Sequence, residues 1–233
     1  MPYMPFMMYN LEYLIYILPG LILAMYAQSK ISSNYAKYSR VNSGTGKTGR
    51  EVAREILDRN GLYTVQIERI SGNLTDHYDP RSKVLRLSQG VYDSTSVAAL
   101  GIAAHEVGHA VQDAENYGFL KLRNVLVPAA NFGSQFAFIL VALGIFFQNF
   151  LVELGVALFA IAVLFQLITL PVEYDASNRA KEELQTIIYS EEGTVGVRKV
   201  LSAAALTYVA SLLTALGTLL RLLSIAGNSR GRD

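Results

Sequence analysis

Ser96-Val-Ala-Ala-Leu-Gly-Ile-Ala-Ala-His-Glu-Val-Gly-His-Ala-Val-Gln112 reads as one helix. Residues four apart on a helix share a face, so His105 and His109 can hold one metal ion between them. Glu106 projects from the adjacent part of the same turn, where a carboxylate can take a proton from an activated water. That is the physical content of the H-E-x-x-H zinc pattern. The chain has three histidines, and this pattern uses two of them. The competing reading is a pair of core histidines on a buried helix. It requires each imidazole to find its own buried hydrogen-bond partner among Ala, Val, Leu and Ile.

Outside this stretch the composition is that of a membrane protein. Of 233 residues, 52% are hydrophobic and only 17% charged. The formal net charge of +1 gives nucleic acid no electrostatic footprint. Without cysteine there are no disulfides and no thiolate ligands, so a metal must be held by His, Asp or Glu. Four apolar stretches reach the length of about twenty residues that a bilayer demands. They run from about Tyr9 to Ala27, Val125 to Phe147, Leu151 to Val172 and Val200 to Leu220. The first has no Lys or Arg before it and a poor cleavage site at Ala24-Met-Tyr-Ala27, so it reads as a retained anchor. Glu12 near its start suits an interface, and tyrosines 3, 9, 13, 16 and 26 fit interfacial anchoring and a Tyr-rich helix packed against its neighbours equally well. Only Gln148-Asn149-Phe150 separates the second stretch from the third, which predicts a tight hairpin.

Basic residues give the expected orientation. Lys30, Lys37, Arg40, Lys47, Arg50, Lys121, Arg123, Arg179, Lys181, Arg198 and Lys199 all fall on one side if the first span runs inward. The segment from about Gln28 to Arg123 and the stretch after Val172 are then cytoplasmic. Arg230 and Arg232 in the short tail disagree.

The polar segment between the first two spans is the candidate globular domain. Asn42-Ser-Gly-Thr-Gly-Lys-Thr48 looks like a phosphate-binding loop, but Val41 stands where the pattern needs glycine and no hydrophobic strand leads in. A linker and a capping box fit better: Thr48 caps a helix and Glu51 reaches back. Val52, Ala53, Ile56 and Leu57 form its apolar stripe, and Asn60-Gly61 ends it. Tyr63–Ile70, Leu74–Tyr78 and Lys83–Ser88 read as strands of a small antiparallel sheet, with Asp79-Pro-Arg-Ser82 as a turn. Asp93-Ser-Thr-Ser96 then supplies caps for the motif helix.

Two histidines do not complete a catalytic zinc site, which usually has three protein ligands and an open position. His77 is one candidate. Another is Pro171-Val-Glu-Tyr-Asp-Ala-Ser-Asn-Arg-Ala180, directly after the third span, with Glu173 and Asp175. A helix there puts Glu173, Ser177 and Ala180 on one face and points Asp175 elsewhere. By spacing alone, Glu173 fits a ligand and an interfacial carboxylate at a helix start equally well.

His105-Glu-Val-Gly-His109, Leu74-Thr-Asp-His-Tyr-Asp-Pro80, Lys83–Ser88 and Pro171-Val-Glu-Tyr-Asp-Ala-Ser177 together resemble the YugP-like neutral zinc metallopeptidases. The likeness covers nearly the whole chain. The layout is also similar to HtpX-type membrane proteases, in which a strand precedes the zinc helix, two spans follow, and a glutamate completes the site. That resemblance implies Glu173 as third ligand. The downstream pattern there is Glu-x-x-x-Asp, and this chain departs from it with Ser177, which can make one hydrogen bond but brings no charge.

The sequence therefore predicts a mainly α integral membrane protein with four transmembrane helices and a small α+β zincin-like metallopeptidase domain. Residues 1–27 form the anchor, 28–124 the cytoplasmic domain, 125–172 the hairpin, 173–199 the segment supplying the third ligand, and 200–233 the fourth span and tail. The expected activity is that of a gluzincin-type metalloendopeptidase in the cell membrane. His105, His109 and Glu173 would bind Zn²⁺ and Glu106 would act as general base. A peptide or protein substrate, membrane proteins included, would add to an edge strand of the sheet, expected to be Lys83–Ser88. His77, Tyr78 and Arg179 are candidates for stabilising the oxyanion, and His77 fits a satisfied sheet residue as well. The alternative is a membrane scaffold or assembly factor with a structural or vestigial metal site; an intact Glu106 argues against it.

Overall fold

The computed structural model describes residues 3–147 and 149–230, with side chains for 14–147 and 149–227. Gln148 of the expected hairpin turn, the side chains of Tyr3, Tyr9, Glu12, Tyr13 and Arg230, and all of Arg232 lie outside the described residues. The elements in chain order are α1 (Tyr3–Tyr38), α2 (Gly49–Arg59), β1 (Gln66–Ile70), β2 (His77–Asp79), β3 (Val84–Ser88), α3 (Gln89–Tyr92), α4 (Val97–Ala114), α5 (Gly118–Phe146), α6 (Asn149–Gln185) and α7 (Glu191–Arg230). The chain divides into two units. One comprises Met1–Tyr26, Leu122–Leu170 and Thr207–Asp233, the other Ala27–Lys121 and Pro171–Leu206.

The first unit is helical. Among the described residues, α1, α5, α6 and α7 are long and apolar enough to cross a membrane, and little of each apolar window is buried inside the protein. Phe132, Ile139, Leu167 and Leu220 are each more than half exposed. Helices in lipid gain no hydrophobic drive from meeting one another, so close backbone approach matters. Gly133 provides one: a methyl group there would come within 2.4 Å of the Leu158 carbonyl oxygen.

The second unit has an ordinary apolar core. Thr48 caps α2 through its hydroxyl, and Glu51 returns the bond to the Thr48 N–H, the capping box expected from the sequence. Val52, Ala53, Ile56 and Leu57 of α2 are buried, together with Leu100, Ala103 and Val107 of α4 and Leu85 and Leu87 of β3. Truncating one of these larger side chains to alanine would cost about 2–5 kcal/mol.

The sheet differs from the expected one. Its order is β1-β3-β2, with β1 parallel and β2 antiparallel to β3, so it is mixed. The reason is the distribution of apolar residues. Val84, Leu85 and Leu87 are all buried, which requires cover on both faces and a neighbour on both edges. The more polar β1 and β2 take the edges. Lys83–Ser88 is therefore not the free edge that the sequence reading had it, because β1 pairs Val84–Ser88 on one side and β2 pairs Val84–Arg86 on the other. The first strand is also shorter than Tyr63–Ile70. The Arg54 guanidinium donates to the Leu62 and Val65 carbonyls at 2.7 Å each and draws them towards α2. Leu74 has φ +55°, a left-handed conformation that excludes it from β2.

Candidate metal centre

Ser96 opens the motif helix. Its hydroxyl accepts the Ala99 N–H at 3.2 Å, filling an amide that the helix cannot satisfy itself. The periodicity of α4 then divides its side chains. Leu100, Ala103, Ala104 and Val107 enter the core, while His105 and His109 face α6. Gly108 allows α6 to come close, its Cα lying against the backbone of Ala176.

That approach brings Glu173 to the histidines. His105 Nε2 is 3.3 Å and His109 Nε2 is 3.6 Å from Glu173 Oε2. One ligand atom from each of the three residues lies within 4.8 Å of the others, and among the described residues only this His/Cys/Asp/Glu group has such a geometry. Asp175 and His77 are outside it. Glu173 is only 2% exposed, and a carboxylate at that depth needs compensating positive charge. Two imidazoles and a carboxylate, without thiolate, form a donor set suited to Zn²⁺ with a fourth position left open.

The outer nitrogens of both rings are engaged by protein. His105 Nδ1 is 3.2 Å from Ser177 Oγ, an uncharged contact. His109 Nδ1 is 3.0 Å from Gln112 Oε1. The Gln112 amide in turn donates to the Val172 carbonyl and to Asp175 Oδ2, both at 2.8 Å. Asp175 also accepts from Arg179 Nε at 2.6 Å, and Arg179 pairs with Glu115. Arg179 is thus committed to two carboxylates. The sequence reading missed the Gln112 link, although Gln112 lies three residues beyond His109 on the same helical face.

Glu106 lies close enough to His105, His109 and Glu173 to feel their charges. Its Oε2 accepts the Tyr78 backbone N–H at 3.1 Å. The Tyr78 hydroxyl donates to Asp113 Oδ2 at 2.8 Å, and Lys83 pairs with the same carboxylate. Strand β2 is therefore fixed to α4 by main chain at Glu106 and by side chain two turns on. The Asp113 carboxylate thus already holds the Tyr78 hydroxyl. His77 is exposed, with Nδ1 2.9 Å from the Thr75 carbonyl. Burial pushes the Glu106 carboxyl above its ordinary value, against the pull of His105 and His109. Burial alone would lower the His109 imidazole, but the Glu173 carboxylate beside it and the charge of Glu106 outweigh that and hold the pKa above the usual one.

Comparison with known proteins adds an independent finding. Residues 13–227 match the family described as "Putative neutral zinc metallopeptidase". The chain is 50% identical over 215 residues to the "Putative membrane protease YugP" of Bacillus subtilis (strain 168), covering 91% of this chain and 95% of that protein. No solved structure matches.

Proposed function

The chain belongs to this family of neutral zinc metallopeptidases, and from that premise we propose that it is a multi-pass membrane metalloendopeptidase of the gluzincin type, with a zincin-like catalytic unit. The observation that carries the reading is the meeting of His105, His109 and Glu173 beside the Glu106 carboxylate. His105 and His109 Nε2 and the Glu173 carboxylate would hold the zinc ion. When bound there, zinc lowers the pKa of water to near neutrality and polarises a carbonyl.

The remaining chemistry falls to the chain's own groups. Glu106 takes the proton of the attacking water and later delivers it to the leaving amine. A carboxyl pKa raised by burial makes it a stronger base than an exposed glutamate, while the Tyr78 N–H keeps one of its oxygens oriented. Burial of Glu173 keeps its charge unsolvated and available for the cation. A residue's N–H and C=O point to the same edge of a strand. The Tyr78 N–H leaves the ladder to meet Glu106, so the Tyr78 carbonyl is presented on that same outer edge of β2. A peptide pairing there would run past Glu106 through main-chain bonds, with little demand on its sequence. The four long apolar helices would carry the protein in the cell membrane, with the catalytic unit on the cytoplasmic side by its Lys/Arg distribution.

The test is zinc content and casein cleavage by the purified full-length chain, wild type against Glu106→Gln. A wild type that retains stoichiometric zinc and cleaves casein, with an inactive variant, supports the reading. A wild type that takes up no zinc overturns it.

A further inference from the structure

Gln112 is fully buried, so each of its polar atoms must find a partner inside the protein. The amide has one orientation that satisfies them all. Its nitrogen faces two acceptors, the Val172 carbonyl and Asp175 Oδ2, and a nitrogen donates to both. Its oxygen therefore faces His109 Nδ1, which must supply the proton. A neutral His109 with a proton on Nδ1 keeps its lone pair on Nε2, the atom that faces Glu173. Two residues of one helix thus bracket the imidazole. Glu173 meets it at Nε2, and Asp175 reaches it at Nδ1 through the amide.

We propose that Gln112 is a positioning residue that relays the Asp175 carboxylate to His109 and fixes the tautomer in which Nε2 is free to bind a metal. The proposal rests on the metal-site reading above for its purpose, but its structural content does not need a metal. Asp175 acts only through Gln112, and Arg179 anchors the same Asp175 oxygen, Oδ2, at 2.6 Å. This departs from the direct carboxylate–histidine contact common at zinc sites, because here a neutral amide stands between the two.

Two measurements on the full-length chain test it. The first is ¹⁵N NMR of metal-free, ¹⁵N-histidine-labelled protein, recorded at a pH where the His109 signals are those of the neutral ring. The three histidines can be assigned by single substitution. Wild-type His109 should carry its proton on Nδ1, and Gln112→Met should lose that preference. A wild-type His109 protonated on Nε2, or a tautomer unchanged in Gln112→Met, overturns the relay. The second is zinc affinity by chelator competition. If His109 is a zinc ligand, Gln112→Met should bind about 10–100-fold more weakly, the usual effect of losing such a partner. Asp175→Ala should bind more weakly than wild type, the double variant no more weakly than Gln112→Met alone, and Asp175→Asn, which keeps an acceptor, should recover most of the loss. Losses that multiply in the double variant would show Asp175 acting independently and overturn the relay. If wild type keeps the Nδ1 tautomer but takes up no zinc, the metalloprotease reading fails while the amide's control of the ring stands.

Discussion

A methyl group at Gly108 would sit 2.7 Å from the Ala176 carbonyl oxygen and 3.0 Å from its Cα. The glycine inside the H-E-V-G-H sequence is thus a contact between backbones. It sets how closely α6, and with it Glu173, can approach the two histidines.

Gly108→Ala should force α4 and α6 apart. Overpacking of this kind costs about 1–3 kcal/mol. The functional loss should be larger, because Glu173, the proposed third ligand, retreats with the helix. The expected outcome is a modestly lower melting temperature and a zinc affinity reduced at least tenfold. Wild-type zinc retention after dialysis against a chelator would show that the approach is not needed.

Glu173→Ala should lose both zinc and activity, since a histidine pair alone leaves the ion under-coordinated. His77→Ala should keep its zinc, because His77 lies outside the three-residue group. Metal analysis of the two purified variants decides the matter. Loss of zinc from His77→Ala with retention in Glu173→Ala would reverse the assignment.

Glu106→Gln should retain zinc and lose peptide hydrolysis by a factor of about 10²–10⁴. The amide keeps the carboxylate's shape and can still accept the Tyr78 N–H, but it cannot take a proton. Cleavage at the wild-type rate would remove Glu106 from the chemistry.

The same variant should be more stable than wild type when both are metal-free. The folded-state pKa of Glu106 is raised above its ordinary 4.5, so the folded protein binds this proton more tightly than the unfolded chain. The stability this confers is full below the unfolded value and is lost as pH rises through the folded one. A glutamine has no such loss. Melting temperatures in detergent should therefore agree below about pH 4, and Glu106→Gln should pull ahead as pH rises. A constant difference across that range would contradict the burial argument.

A reporter fused at Asn42 should behave as cytoplasmic. The clustering of Lys and Arg on that side of the spans motivates this expectation. Activity of a reporter that works only outside the cytoplasm would invert the orientation. It would leave the chemistry unchanged, since all the candidate ligands share one unit of the fold.

What the sequence determined by itself is what local spacing and length can encode. His105, Glu106 and His109 are placed on one helix by helical period alone, the α2 start at Thr48 and the α4 start within Asp93–Ser96 by capping chemistry, and the four long helices by runs of apolar residues. Glu173 needed the resemblance to related proteases, because 64 residues separate it from His109 and no local pattern ties it to the metal helix. The order of the strands, and hence the loss of β3 as an edge, followed from burying Val84, Leu85 and Leu87 together, which a two-residue alternation does not express. The Tyr78 bond to Glu106 and the Gln112 bond to Asp175 join residues 28 and 63 positions apart. Such contacts are decided by tertiary structure, because a buried polar group takes whichever partner the packing of distant backbones brings within reach.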